Sequence, residues 1–204
     1  MQAPGSKNFM TKLYFRYNPF YDRMLSRLAN ESFNVAVEQD GGEFIKKIQS
    51  HWDQYNDQIF GFYKTKGFVL PEYWLAYPVH AKKGLIPFDD PLTFIIGGDF
   101  EAMTATVVHE LGHIFFGYYE NKDMCGKLWE HIDRKFEAED EDTKKHLIVI
   151  PLAMAGLHRI FTEEKVLRLA AMEKNYEGLE RAWAILGKKP LKAKEDPVQY
   201  ILSL

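Results

Sequence analysis

Cysteine is almost missing from this 204-residue chain, where only Cys125 occurs. No internal disulfide can form, so stability has to come from an apolar core, and a chain of this length can bury one. A lone thiol also points to a reducing, cytoplasmic setting. Long apolar runs are missing too. No stretch approaches the ~18 residues needed to span a bilayer, and Met1-Gln2-Ala3-Pro4-Gly5-Ser6 lacks the charged-then-apolar layout of a signal peptide. The expectation is a soluble protein with no membrane partner. Nor is there an excess of either charge: 26 Lys and Arg against 29 Asp and Glu leave a formal net charge of −3. That balance argues against nucleic acid as a partner over a broad surface. Repeats and low-complexity tracts are absent, which excludes solenoids and linker-joined modules and leaves a single domain over residues 1–204. With 46% hydrophobic and 27% charged residues, the chain is not expected to be disordered.

Aromatic residues, by contrast, are plentiful at 15%, and many fall in Leu13-Tyr14-Phe15-Arg16-Tyr17-Asn18-Pro19-Phe20-Tyr21. Such a cluster can stack on bases, but no basic stripe accompanies it, so it reads as core filling. Helical spacing runs through the N-terminal part, about residues 10–60, with a turn signal at Asp40-Gly41-Gly42. Phe44, Ile45, Ile48, Trp52, Tyr55 and Ile59 mark one buried helix face. Short β-prone runs at Phe68–Leu70, Tyr73–Tyr77 and Leu92–Ile96, punctuated by prolines, predict a small sheet over about 61–97. Asp99 is a candidate N-cap for a helix over about 99–117. Helices are expected through about 127–204. One spans roughly Lys127–Leu157, with Pro151 as its candidate interruption, and others cover Glu163–Lys174 and Tyr176–Leu186. Gly187 is a C-cap candidate, and Asp196-Pro197 reads as another helix start. Helices, then sheet, then helices is an α+β order.

The segment that carries chemistry is Val108-His109-Glu110-Leu111-Gly112-His113-Ile114. On a helix His109 and His113 lie one above the other, so both imidazoles reach a single ion, and Zn²⁺ accepts such donors. Glu110, rotated about 100°, sits beside the ion where it can take a proton from water. A chain of this composition is expected to contain such a pattern roughly 0.02 times by accident. Gly112, costly inside a helix, suggests that another backbone or a ligand approaches closely.

A catalytic zinc needs a third protein ligand. Downstream candidates are Glu120, Glu130, His131, Glu137, Glu139, Glu141, His146 and His158. Ile132, Phe136, Glu139, Thr143, Leu147, Ile150, Met154 and Leu157 advance by threes and fours and trace one continuous inward face, on which Glu139 is the only acid. A carboxylate there needs a partner or a metal. Glu139 is therefore expected as the third ligand, with His146 as the alternative. Asp142 and Thr143 are candidates to orient a ligating imidazole.

With these residues in view, the chain resembles the zincin metallopeptidases, recognised by His109-Glu110-Leu111-Gly112-His113. A glutamate ligand on a second helix resembles the gluzincin branch. The layout is similar to that of minimal ImmA/IrrE-like metallopeptidases, where a Glu-rich motif precedes an apolar run and a proline; here those are Glu137-Ala138-Glu139 and Leu147–Pro151. It departs from that pattern at Asp142-Thr143-Lys144-Lys145-His146. The resemblance implies a zincin-like fold: a small antiparallel or mixed sheet, an active-site helix and a helical C-terminal part. It implies a peptide or protein substrate, hydrolysis through zinc-activated water with Glu110 as general base, and an edge strand, Leu92–Ile96, that pairs with the substrate. Tyr118, Tyr119, His131 and His158 are candidate oxyanion donors. The competing expectation is a regulatory or binding protein on a zincin scaffold, with a structural metal and little general proteolysis.

Overall fold

The computed structural model describes residues 10–29, 36–80, 88–89, 91–96, 99–173, 179–187 and 189–204, and only the backbone of 36–41, 88, 173 and 189–191. The architecture is α+β. Four strands, β1 (Lys12–Phe15), β2 (Tyr73–Val79), β3 (Phe88–Asp89) and β4 (Leu92–Ile95), form a mixed sheet in the order β1-β2-β4-β3. β1 and β2 run parallel with Leu13 opposite Trp74, β2 and β4 run parallel with Pro78 opposite Phe94, and β3 returns antiparallel to β4. β2 pairs with β1 through its first half and with β4 through its second. Pro78 lies in the second half, beyond the residues matched to β1, where a missing N–H is tolerated.

Two expectations about the sheet change. The aromatic run that begins at Leu13 supplies β1 and then helix α1 (Pro19–Leu28), so the sheet takes its first strand from within the region read as N-terminal helices. Phe68–Leu70 is not a strand. Gly67 turns the backbone with φ +88°, and the Asn121 amide then takes both backbone groups of Val69, accepting from its N–H at 2.7 Å and donating to its carbonyl at 3.2 Å.

Helices α2 (Ala36–Asp53) and α3 (Asn56–Thr65) flank β1. α2 runs through Asp40-Gly41-Gly42, so the expected turn does not form there. The outer edge of β1 is closed by side-chain amides instead of another strand. Buried Asn56 accepts from Leu13 N–H and donates to the Thr11 carbonyl; Gln49 accepts from Phe15 N–H and donates to the Leu13 carbonyl. These two side chains stand in for a neighbouring strand and protect an edge otherwise open to pairing.

Helix α4 (Phe100–Gly117) follows β4, and Asp99 caps it by accepting from Ala102 N–H at 2.7 Å. α5 (Lys122–Lys135), α6 (Glu141–Leu157), α7 (Glu163–Glu173), α8 (Glu180–Leu186) and α9 (Pro197–Ser203) complete the helical part. Asp196 caps α9 with Pro197 in its first turn, and Gly187 closes α8 at φ +58°. The predicted start of α8 near Tyr176 lies outside the described residues. The long helix expected over Lys127–Leu157 is two helices. The break falls at 136–140, not at Pro151, because Asp140 opens a new helix by accepting from the Thr143 N–H and hydroxyl.

α6 is buried almost all round and packs along α4. The two helices approach tightly at Gly112, where a Cβ would stand 3.0 Å from Val149 Cγ1 and 3.4 Å from the Val149 carbonyl oxygen. The close backbone approach expected at Gly112 is thus present. Val107, Val108, Leu111 and Phe115 of α4 and Ile148, Ile150 and Leu152 of α6 form the centre of the core, under Phe60, Tyr63 and Phe94. Among the described residues no helix is long and apolar enough to cross a membrane.

Candidate metal centre

One feature of α4 decides where its chemistry lies. The helix is apolar along most of its length, yet it carries His109 and Glu110 in nearly full burial and His113 half-buried one turn further on. His109 and His113 have ring centroids 5.1 Å apart. α6, brought close by Gly112, sets the His146 ring at the third corner of a near-equilateral triangle, 5.5 Å from His109 and 4.9 Å from His113. One nitrogen from each ring lies within 4.8 Å of the others, and these three residues are the only group of this kind found among the described residues. The cluster matches a zincin HExxH-type active site.

The donor set of this zincin-type site suits a divalent ion. Three imidazole nitrogens converge, and a catalytic zinc takes three protein ligands and leaves a fourth position open. The His113 pKa is depressed to about 2, chiefly by burial and then by His109, His146 and Lys145, so its ring stays neutral and offers a lone pair at neutral pH. His146 Nδ1 lies 2.9 Å from the Asp142 carbonyl oxygen, one turn earlier in α6. As a donor to that carbonyl, Nδ1 carries the proton and Nε2 remains for a metal, an arrangement common among ligating histidines. Asp142, expected as an orienting group, thus acts through its backbone, and its carboxylate stands 3.6 Å from the same nitrogen.

Glu139 lies elsewhere. Its carboxylate is engaged by the Arg181 guanidinium of α8 through both Nε, at 2.7 Å, and NH2. Arg181 foremost holds the Glu139 carboxyl below the usual carboxylate range. The structure therefore brings His146, not Glu139, to the histidine pair. The helix break is the reason. Glu139 directly precedes the Asp140 cap, so it is not in phase with the inward face of α6. The signal was present in Asp140-Glu141-Asp142-Thr143, a cap with acids in the first turn, which restarts the helical count and turns His146 towards α4.

The other candidates have separate surroundings. Glu120, Glu130 and Glu137 are exposed, and Glu141 is exposed while pairing with Lys145 at 2.9 Å. Tyr118 packs edge-on against Trp74, and Tyr119 is exposed beneath the Lys122 ammonium. His131 and His158 are outside the three-histidine group, and burial lowers the pKa of each. Cys125 is buried, with its thiol pushed up to about 12, which suits packing and not redox work. β4 is not the sheet edge, because β3 pairs along its outer side at Leu92 and Thr93. No family model, curated protein or solved structure matches this chain.

Proposed function

We propose that the protein is a zinc-dependent peptidase in which His109, His113 and His146 hold the ion and Glu110 is the general base. The observation that carries this reading is the convergence of three ring nitrogens within 4.8 Å beside a buried glutamate on the same helix. A bound Zn²⁺ supplies Lewis acidity that activates water and polarises a carbonyl.

The chain's own groups account for the rest. Glu110 follows His109 directly, about 100° further round the helix, so its carboxylate stands beside the ligand set. From there it accepts a proton from the attacking water and returns it to the departing amine. Near-complete burial keeps bulk water from competing for that carboxylate. The Asp142 carbonyl fixes the His146 ring, and the Gly112–Val149 contact sets the spacing between the two ligand helices. An extended peptide is the substrate class that fits a sheet beside the site. Among the described residues β1 is closed by Asn56 and Gln49, and a strand would add on the opposite side of the sheet, where β3 covers β4 only at Leu92 and Thr93. A single buried, unpaired cysteine supports a cytoplasmic setting.

The test combines zinc content with cleavage of a peptide library. Wild-type protein is expected to bind zinc and cleave, His146→Ala to lose both, and Glu110→Gln to keep zinc and lose cleavage. Cleavage undiminished in Glu110→Gln, or zinc affinity undiminished in His146→Ala, would overturn the assignment.

A further inference from the structure

Helix α1 docks with its faces inverted. Its buried residues are Asp22, Leu25 and Ser26, two of them polar, while Phe20, Met24 and Leu28 are 77%, 41% and 73% exposed. A surface helix ordinarily turns its apolar stripe to the core. α1 is also set apart. Among the described residues no other helix or strand packs extensively against it, the main core includes none of its side chains, and Leu25 joins only Val79 and Tyr21 in a small separate cluster. What holds the helix is polar. Asp22, wholly buried, accepts from the His80 backbone N–H at 2.8 Å, lies 2.7 Å from His80 Nδ1, and accepts from the Tyr17 hydroxyl at 3.0 Å. The Tyr21 and Thr93 hydroxyls meet at 2.9 Å, and the Tyr21 ring stands edge-on to Tyr77.

We propose that α1 is a latched strap: it lifts from the β2–β4 half of the sheet as a unit, with Asp22 as the catch, while α4, α6 and the histidine triangle stay folded. Little apolar burial opposes the opening. A detached helix of 10 residues is too short to persist, so lifting and melting are one event. The catch acts all or none. Docked, the Asp22 carboxylate relies on His80 and Tyr17; with those donors weakened, a buried charge is costly, and lifting returns it to water. The main core does not pass through α1, so its opening leaves the helices that carry His109, His113 and His146 in place. Thr93 lies in β4, on the side of the sheet where a substrate strand would add. Lifting α1 takes the Tyr21 hydroxyl from Thr93 and changes that edge without touching a metal ligand. This last consequence rests on the peptidase reading; the strap itself does not.

The experiment is amide hydrogen exchange on the full-length protein. The helical amides from Asp22 to Ala29 are expected to be at least about tenfold less protected than those of α4 and α6. His80→Ala and Tyr17→Phe should each lower the protection of α1 by about tenfold more and leave α4 and α6 as they are. Tyr17→Phe removes a single hydroxyl and keeps the test decisive should His80→Ala fail to fold, which circular dichroism reports. Equal protection of α1 and α4 in the wild type, or loss of protection in both helices together in Tyr17→Phe, overturns the strap. The consequence for the substrate edge is read in the Glu110→Gln background, with a library peptide that the wild type cleaves. Its affinity should shift at least about fivefold when Tyr17→Phe is added, and an unchanged affinity overturns that link. A wild type that cleaves no peptide removes the peptidase reading, and the exchange pattern still decides the strap.

Discussion

His146 and Glu139 flank the same helix start, yet their environments diverge. The imidazole faces two others across a helix interface, and the carboxylate is held by Arg181. Removing each should separate the two roles. His146→Ala is expected to weaken zinc binding by at least about 100-fold, while Glu139→Ala changes it less than about threefold, read by competition with a chromophoric chelator. Glu110→Gln should keep zinc and lower turnover by roughly 10²–10⁴. A different pair of side chains governs acid behaviour. Burial alone would raise the Asp22 pKa, but the hydrogen bonds from His80 and Tyr17 outweigh it and leave that pKa below 3.8. A depressed carboxylate stabilises the fold above its unfolded pKa and loses that contribution as pH falls through the folded one. Asp22→Asn should therefore cost about 2–4 kcal/mol near neutrality. The difference from wild type should shrink as pH drops below 3.8, as denaturant titrations at several pH values would register.

Among the elements, α4 is legible in the sequence, because Asp99 signals its start and the His-Glu-x-x-His spacing has meaning only on a helix. Gly112 was readable as a contact but not as to its partner, since nothing local names Val149. The strand at Lys12–Phe15 was hidden because one aromatic run serves two elements, and only pairing with β2 decides which half is extended. That His146 and not Glu139 stands beside the histidine pair has a similar reason. A stripe from Ile132 to Leu157 is coherent only if the helix never breaks, and Asp140 breaks it. The α4–α6 contact is testable directly. Gly112→Ala gains ~1 kcal/mol of helix propensity, but it places a methyl 3.0 Å from Val149 Cγ1. The expected result is a net loss of about 1–2 kcal/mol and a zinc affinity reduced beyond what that loss explains. Adding Val149→Ala should restore the affinity, as isothermal titration of the single and double variants would reveal.

At the scale of the whole molecule, side-chain amides tie β1 to α2 and α3 beside the shared apolar core. Asn56 bonds the backbone of Leu13 in β1 and of Thr11 just before it and accepts from the Trp52 indole, all in full burial. Asn56→Ala should cost about 2–4 kcal/mol, because several buried polar groups lose a partner at once. The exposed β1 edge should then promote association, measurable as concentration-dependent light scattering near the midpoint of unfolding. The same view bears on the metal centre, whose donors come from two helices separated by the whole of α5. A ribosome-bound chain that has emerged only as far as Phe136 already displays His109 and His113 but has yet to expose His146. Stable ion capture is thus a late event in biosynthesis, and a prematurely terminated product would be released with an incomplete set of donors.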